Sequence, residues 1–206
     1  MSRLTQSDWL NAVEPHTMLE FLHSNGKPSD RKLRLFAVAC SRRIWRLIDD
    51  LGRAAVEAEE DFADGRLGSD ELRAARLACQ GTGGQASWYA AATDPAIAAR
   101  NAARSAQAGA ATLGAEAEEL VAQAELVREV FGNPFRQMSI DQSWLTPGVV
   151  KLAQTIYDDC AFYLMPELAA ELENAGCNHV EVLSHCRERG THERGCWVLD
   201  IMLGRS

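Results

Sequence analysis

The sequence predicts an all-α protein, an irregular multi-helix bundle with an alanine-rich central helical segment, and three observations carry that prediction. Apolar residues recur at helical spacing along most of the chain. Cap and breaker residues bracket those periodic stretches. Thirteen of the 27 residues from 86 to 112 are alanine, the strongest helix former. With 206 residues, 47% hydrophobic and 24% charged, the chain has globular composition and room for one sizeable core, so 1–206 is read as a single helical domain. Within it, 80–114 is the alanine-rich part, expected either to pack along that core or to project from it as a variable insert.

Two short pieces, Asp8 to Val13 and Thr17 to His23, come first, and Asn25-Gly26-Lys27-Pro28 breaks the pattern after them. Ser29-Asp30 then caps a long helix. Its stripe is Leu33, Phe36, Ala37, Cys40, Ile44, Leu47, Ile48 and Leu51. Arg53 to Ala63 forms the next helix, closed by Asp64-Gly65, and Ser69-Asp70-Glu71 starts another. The loop between them fails as a calcium loop, because Glu60 stands at its first position and Phe62 at its third, where carbon cannot coordinate a hard cation. Gly81-Thr82-Gly83-Gly84 is a joint rather than a phosphate loop, since no Gly-Lys-Ser/Thr follows.

Glu116 to Phe131 resumes the helical period through Leu120, Ala124, Val127 and Phe131, ending at Gly132-Asn133-Pro134. Phe135 to Trp144 is the one candidate extended segment. Thr146-Pro147 reads as an N-cap with proline at the first helical position. That helix carries Val149, Ala153, Ile156 and Cys160 on one face, restarts or kinks at Pro166 and closes at Gly176. Asn178 to Arg189 and Glu193 to Leu203 complete the fold.

Charge and cysteine usage narrow the function classes. No apolar run approaches the roughly 20 residues that cross a bilayer, and the N-terminus has no signal-peptide pattern, so a cytoplasmic protein without a membrane partner is expected. Six cysteines lie in apolar helical contexts, which favours reduced thiols. A formal net charge of -8 disfavours a phosphate-backbone binder. The basic stretch 31–46 is the local exception, and Arg34, Arg42, Arg43 and Arg46 form the weakest candidate site, for nucleic acid. Nine acids between Asp49 and Glu71 offer those arginines an internal counter-charge.

The densest cluster of chemically able side chains is C-terminal: Cys177, His179, His185, Cys186, His192 and Cys196. Thiolate and imidazole are zinc's preferred donors, and Cys177, His185, His192 and Cys196 are the set that would meet across the Gly190-Thr191 turn. The spacing reproduces no paired zinc motif. The alternative is a packed helical hairpin in which Cys177 and Cys196 are small buried hydrophobes, His192 caps a turn and His185 bonds a carbonyl. A Cys196–His192 nucleophile is a further option, opposed by the apolar Trp197-Val198 that follows.

Several blocks resemble an uncharacterised bacterial helical family that occurs as multiple paralogues. They are Thr17-Met-Leu-Glu-Phe-Leu, Ser29-Asp-Arg-Lys-Leu-Arg-Leu-Phe-Ala with Cys40 and Arg42-Arg-Ile-Trp, Phe62-Ala-Asp-Gly, Phe131-Gly-Asn-Pro-Phe-Arg, Trp144-Leu-Thr-Pro, Ala175-Gly-Cys, His185-Cys-Arg and His192 to Arg194-Gly-Cys-Trp-Val-Leu-Asp. The resemblance covers both ends of the chain, skips the alanine-rich middle and implies no particular activity. Paralogy is compatible with an adaptor or immunity role. The leading expectation is therefore a non-catalytic module without a cofactor, binding another protein through a helical surface that includes Trp45, Trp88 and Tyr89. The alternative is a zinc-binding or cysteine-dependent enzyme centred on the C-terminal cluster.

Overall fold

The computed structural model describes residues 4–26, 28–79, 94–136, 138–188 and 190–205, and among them every regular element is a helix. The chain, expected as one domain, divides into two compact units, 1–128 and 129–206.

The first unit is organised around one buried helix. Thr5 opens α1 (Gln6–Asn11) with a capping box to Asp8, and Pro15 occupies the first position of α2 (Pro15–Asn25). Ser29 caps α3 (Asp30–Arg43) by accepting from the Lys32 amide, and from Leu33 to Ser41 every residue of α3 is buried. The long helix expected to reach Leu51 stops at Arg43. Trp45–Leu47 is a single 3-10 turn, and α4 (Asp50–Ala63) begins three residues before its expected start. The reason is a local competition: the Asp49 carboxylate accepts from the Gly52 amide and takes the N-cap of a new helix. Ile44 and Ile48 stay buried across the break, whereas Leu47 and Leu51 emerge to solvent.

The opposed charges of α3 and α4 meet. Arg34 pairs with the buried Glu59, Arg42 with Glu60 at 2.7 Å, and Arg31 with Asp64 at 3.0 Å. Asp64 also receives Arg66 at 2.8 Å, so the loop considered for calcium spends its carboxylate on two guanidiniums. Gly65 takes φ +71° after α4, and α5 (Ser69–Ala78) follows with Leu72 buried. The described part of the alanine-rich segment is α6 (Pro95–Ala111), and it packs on α3 rather than projecting. Ala98, Ala99, Ala102, Ala103, Ala106 and Ala110 form its buried face. The small residues of this helix leave room for side chains of its neighbours: a Cβ on Gly109 would lie 3.0 Å from Ile44 Cγ2 and 3.1 Å from Leu47 Cδ1.

Helix α7 (Glu116–Phe131) carries two polar anchors of this unit. Gln123, fully buried, donates to the Ala103 carbonyl at 3.0 Å and to Glu119 at 2.7 Å and accepts from Gln107 at 2.8 Å. Arg128 donates to the Ala12 and Trp9 carbonyls at 2.9 and 3.3 Å, satisfying the open C-terminus of α1.

The second unit begins in the last turn of α7, at Glu129. The expected strand at Phe135–Trp144 forms no ladder among the described residues. It runs over the core through Met138 and Ile140 and ends in a 3-10 turn, Gln142–Trp144, capped by Asp141. Helices α8 (Pro147–Asp158) and α9 (Met165–Asn174) build the core with Val149, Ile156, Tyr157, Met165, Leu168 and Leu172. Thr146 and Pro147 open α8 as expected. Helices α10 (Val180–Arg187) and α11 (Trp197–Leu203) close the unit, adding Leu183, Val198, Leu199 and Met202. The final helix is shorter than expected: Cys196 lies at its N-cap, and in the 188–196 stretch the described residues, 188 and 190–196, lie outside any helix.

Candidate metal centre

Four side chains of the second unit converge: Glu129 from the last turn of α7, His185 from α10, His192 from the 188–196 loop and Cys196 from the N-cap of α11. One ligand atom of each lies within 4.8 Å of all the others. His185 Nε2 stands 3.2 Å from Cys196 Sγ and 3.2 Å from Glu129 Oε2, and His192 Nδ1 stands 3.2 Å from Glu129 Oε1. A tetrahedral zinc with bonds of 2.0–2.3 Å needs its ligand atoms roughly 3.3–3.7 Å apart; each 3.2 Å contact is close to such an edge, the two to Glu129 being made by its different oxygens, and the 4.8 Å span of the four donors is wider than one. Cys196 is fully buried, and the side chains of His192, Glu129 and His185 are 6%, 7% and 14% exposed.

Aromatic rings stand against the cluster at His185. The His185 ring meets His192 edge-on at 5.0 Å and Trp197 at 5.1 Å. Trp197 also lies against the backbone of Gly132, whose φ of +67° ends α7. A Cβ there would sit 3.2 Å from Trp197 Cγ.

The electrostatics of the cluster are those of an anion seeking a cation. Burial opposes ionisation of Glu129, but hydrogen bonds and charge from His185 and His192 overcome it and hold the carboxyl at about 2. Burial would equally discharge His192. The hydrogen bond and charge of Glu129, with help from the Glu188 backbone, reverse this and raise its pKa. In that protonated form the Nδ1 proton occupies the place a metal ion would take against Glu129. Burial and the charge of Glu129 push the Cys196 thiol well above its ordinary value, against the opposing pull of the Leu199 and Val198 amides. A metal cation would reverse that balance, since a coordinating thiol is deprotonated outright. The same burial works against Cys196 as a free thiolate nucleophile, and the imidazole at its sulfur is His185 rather than His192.

Of the four residues singled out from sequence, His185, His192 and Cys196 come together and Cys177 does not. Cys177 follows Gly176, which takes φ +89° after α9. Its amide donates to the Leu172 carbonyl at 2.9 Å while the Gly176 amide donates to Glu173 at 2.9 Å, a Schellman cap that turns the thiol into the core. Cys186 is buried in that core too, its thiol pushed up to about 12 by burial and by Glu129. The fourth corner belongs to Glu129, which the sequence pattern does not single out. Its one signal is a carboxylate between Val127 and Val130, three residues after Leu126, on the buried side of a helix that also turns Glu119 and Gln123 inward.

The other candidate residues that the structure describes do not converge on a site. Trp45 is half-buried, with the guanidiniums of Arg42 and Arg53 at 6.0 and 5.5 Å from its ring, and Trp88 and Tyr89 lie outside the described residues. Arg34 and Arg42 pair with α4 carboxylates and Arg43 with Glu119 at 2.7 Å, while Arg46 is exposed. Carboxyl groups thus pair with three of the four arginines that a phosphate backbone would need. No helix among the described residues is long and apolar enough to cross a membrane. No family model matches the chain, and no curated protein or solved structure does either.

Proposed function

We propose that the second unit is a zinc-binding module in which Glu129, His185, His192 and Cys196 hold the ion as a non-catalytic, structural centre. The observation that carries this reading is the mutual approach of four donor atoms, two imidazole nitrogens, one sulfur and one carboxylate oxygen, within 4.8 Å in a nearly sealed site. Two nitrogens, a thiolate and a carboxylate suit a tetrahedral borderline-soft cation, and oxygen-seeking magnesium or calcium would not select sulfur. Four protein donors fill the shell, whereas catalytic zinc keeps one position for water or substrate. In this reading the metal serves shape, and the module's work is done by the surface it stabilises.

Native mass spectrometry of untagged protein, expressed with zinc and purified without chelators, tests the proposal. One zinc per chain is expected, lost in His192→Ala/Cys196→Ser and retained in Cys177→Ser. Replacement by cobalt should give the intense visible bands of a tetrahedral site and a thiolate charge-transfer band that Cys196→Ser removes. A folded wild-type chain that takes up neither ion overturns the reading.

A further inference from the structure

We infer that the metal controls the order of the 188–196 loop, which closes over the site when the ion is held and opens when it leaves. This rests on the zinc reading of the same four residues.

The loop reads Glu-Arg-Gly-Thr-His-Glu-Arg-Gly-Cys and contains no aliphatic or aromatic hydrocarbon side chain. A segment of this kind gains little from burying apolar surface, so specific polar links must offset the entropy of ordering its nine residues. Links of this kind run from the described residues of the loop to the rest of the second unit, together with the Arg194 guanidinium 5.8 Å from the Tyr157 ring. His192 reaches Glu129, Cys196 reaches His185, and Arg194 Nη2 donates to the Asp158 carbonyl at 2.9 Å. The first two are pairs of proposed ligands. Glu188, Gly190 and Thr191 at the near end of the loop face solvent, while His192 and Cys196 point inward.

The elements on either side differ from the loop. Helix α10 is held by Val182, Leu183 and Cys186, and α11 by Val198, Leu199 and Met202, all of them core residues. Removing the ion therefore leaves both helices with their apolar anchorage, and leaves the loop with direct side-chain contacts, His192 to Glu129 and Cys196 to His185, in place of a cross-link through a shared ion. The device is local: a metal-dependent surface segment on a core that persists without metal.

Hydrogen exchange of the full chain, read by mass spectrometry, distinguishes the outcomes. It is measured on the zinc-loaded protein, after removal of zinc by a chelator, and after zinc is restored. Exchange across 188–196 should rise roughly tenfold or more on stripping and return on reloading, while peptides from α8 and α9 stay unchanged. Arg194→Met, which leaves all four ligands in place, should keep its zinc and the same metal-dependent contrast. Stoichiometric zinc whose removal leaves 188–196 unchanged refutes the loop inference alone and leaves the zinc reading intact. A rise of equal size throughout 129–206 also refutes it, because the metal would then hold the whole unit. A chain that binds no zinc ends both.

Discussion

Glu59 gives a sharp test of how burial and pairing compete in this fold. Its side chain is fully buried between α3 and α4, with Arg34 on Oε1 and no hydrogen-bond partner at Oε2. Burial raises its pKa from 4.5 to about 7, outweighing the charge and hydrogen bond of Arg34 and the more distant charge of Arg76. The folded chain thus holds this proton more tightly than the unfolded chain does. Below about pH 4.5 the carboxyl is neutral in both states and exacts no penalty; as pH rises toward 7 the unfolded chain ionises first, and stability falls until both states are ionised. A shift from 4.5 to about 7, at 1.36 kcal/mol per unit, amounts to about 3 kcal/mol, most of it between about pH 5 and pH 8. Glu59→Gln removes the titration and keeps the shape. Urea unfolding followed by circular dichroism, run on both proteins at about pH 5 and pH 8, should show the wild type losing about 2–3 kcal/mol more than the variant across that interval. Every other titrating group is common to the two proteins and cancels. Parallel pH dependences would mean that Arg34 keeps Glu59 ionised throughout, and a larger loss in the variant would reverse the sign of the argument.

Four further outcomes follow from the packing. Gly132→Ala forces a Cβ into a left-handed φ and against Trp197, and thermal denaturation should show a loss of about 1–2 kcal/mol together with weaker zinc retention. Cys177→Ser buries a hydroxyl in the core, so it should lower stability by about 1–3 kcal/mol in denaturant titration without changing metal content. Ala106→Leu inserts bulk where α6 approaches α3 and should destabilise by about 1–3 kcal/mol; a neutral result would mean that the alanine face is loosely packed. Arg128→Met frees the Ala12 and Trp9 carbonyls and should cost about 1–3 kcal/mol, with faster amide exchange confined to α1.

The helices themselves are legible in the linear chain, because each is written in local chemistry. Thr146-Pro147 opens α8, Ser29 caps α3, and the period of Glu116 to Phe131 matches α7 at both ends. The alanine pattern likewise announces α6, since propensity and spacing are properties of neighbouring residues. Where two local signals compete, the pattern misleads: the apolar stripe from Leu33 to Leu51 looks continuous, and only the folded chain shows Asp49 taking a cap that divides it. Met138 and Ile140 alternate like a strand, but a strand needs a neighbour to bond, and nothing in a linear pattern says whether one is present.

The candidate metal centre divides the same way. His185, His192 and Cys196 lie within 12 residues, and their donor chemistry marks them from sequence alone. Cys177 has the same chemistry and loses its place to a helix cap that turns it inward. Glu129, 56 residues before His185, is brought to them by the tertiary fold. Donor type is a property of a residue, but coordination is a property of distances, and only packing can bring a carboxylate, two imidazoles and a thiol within a few ångströms of one another.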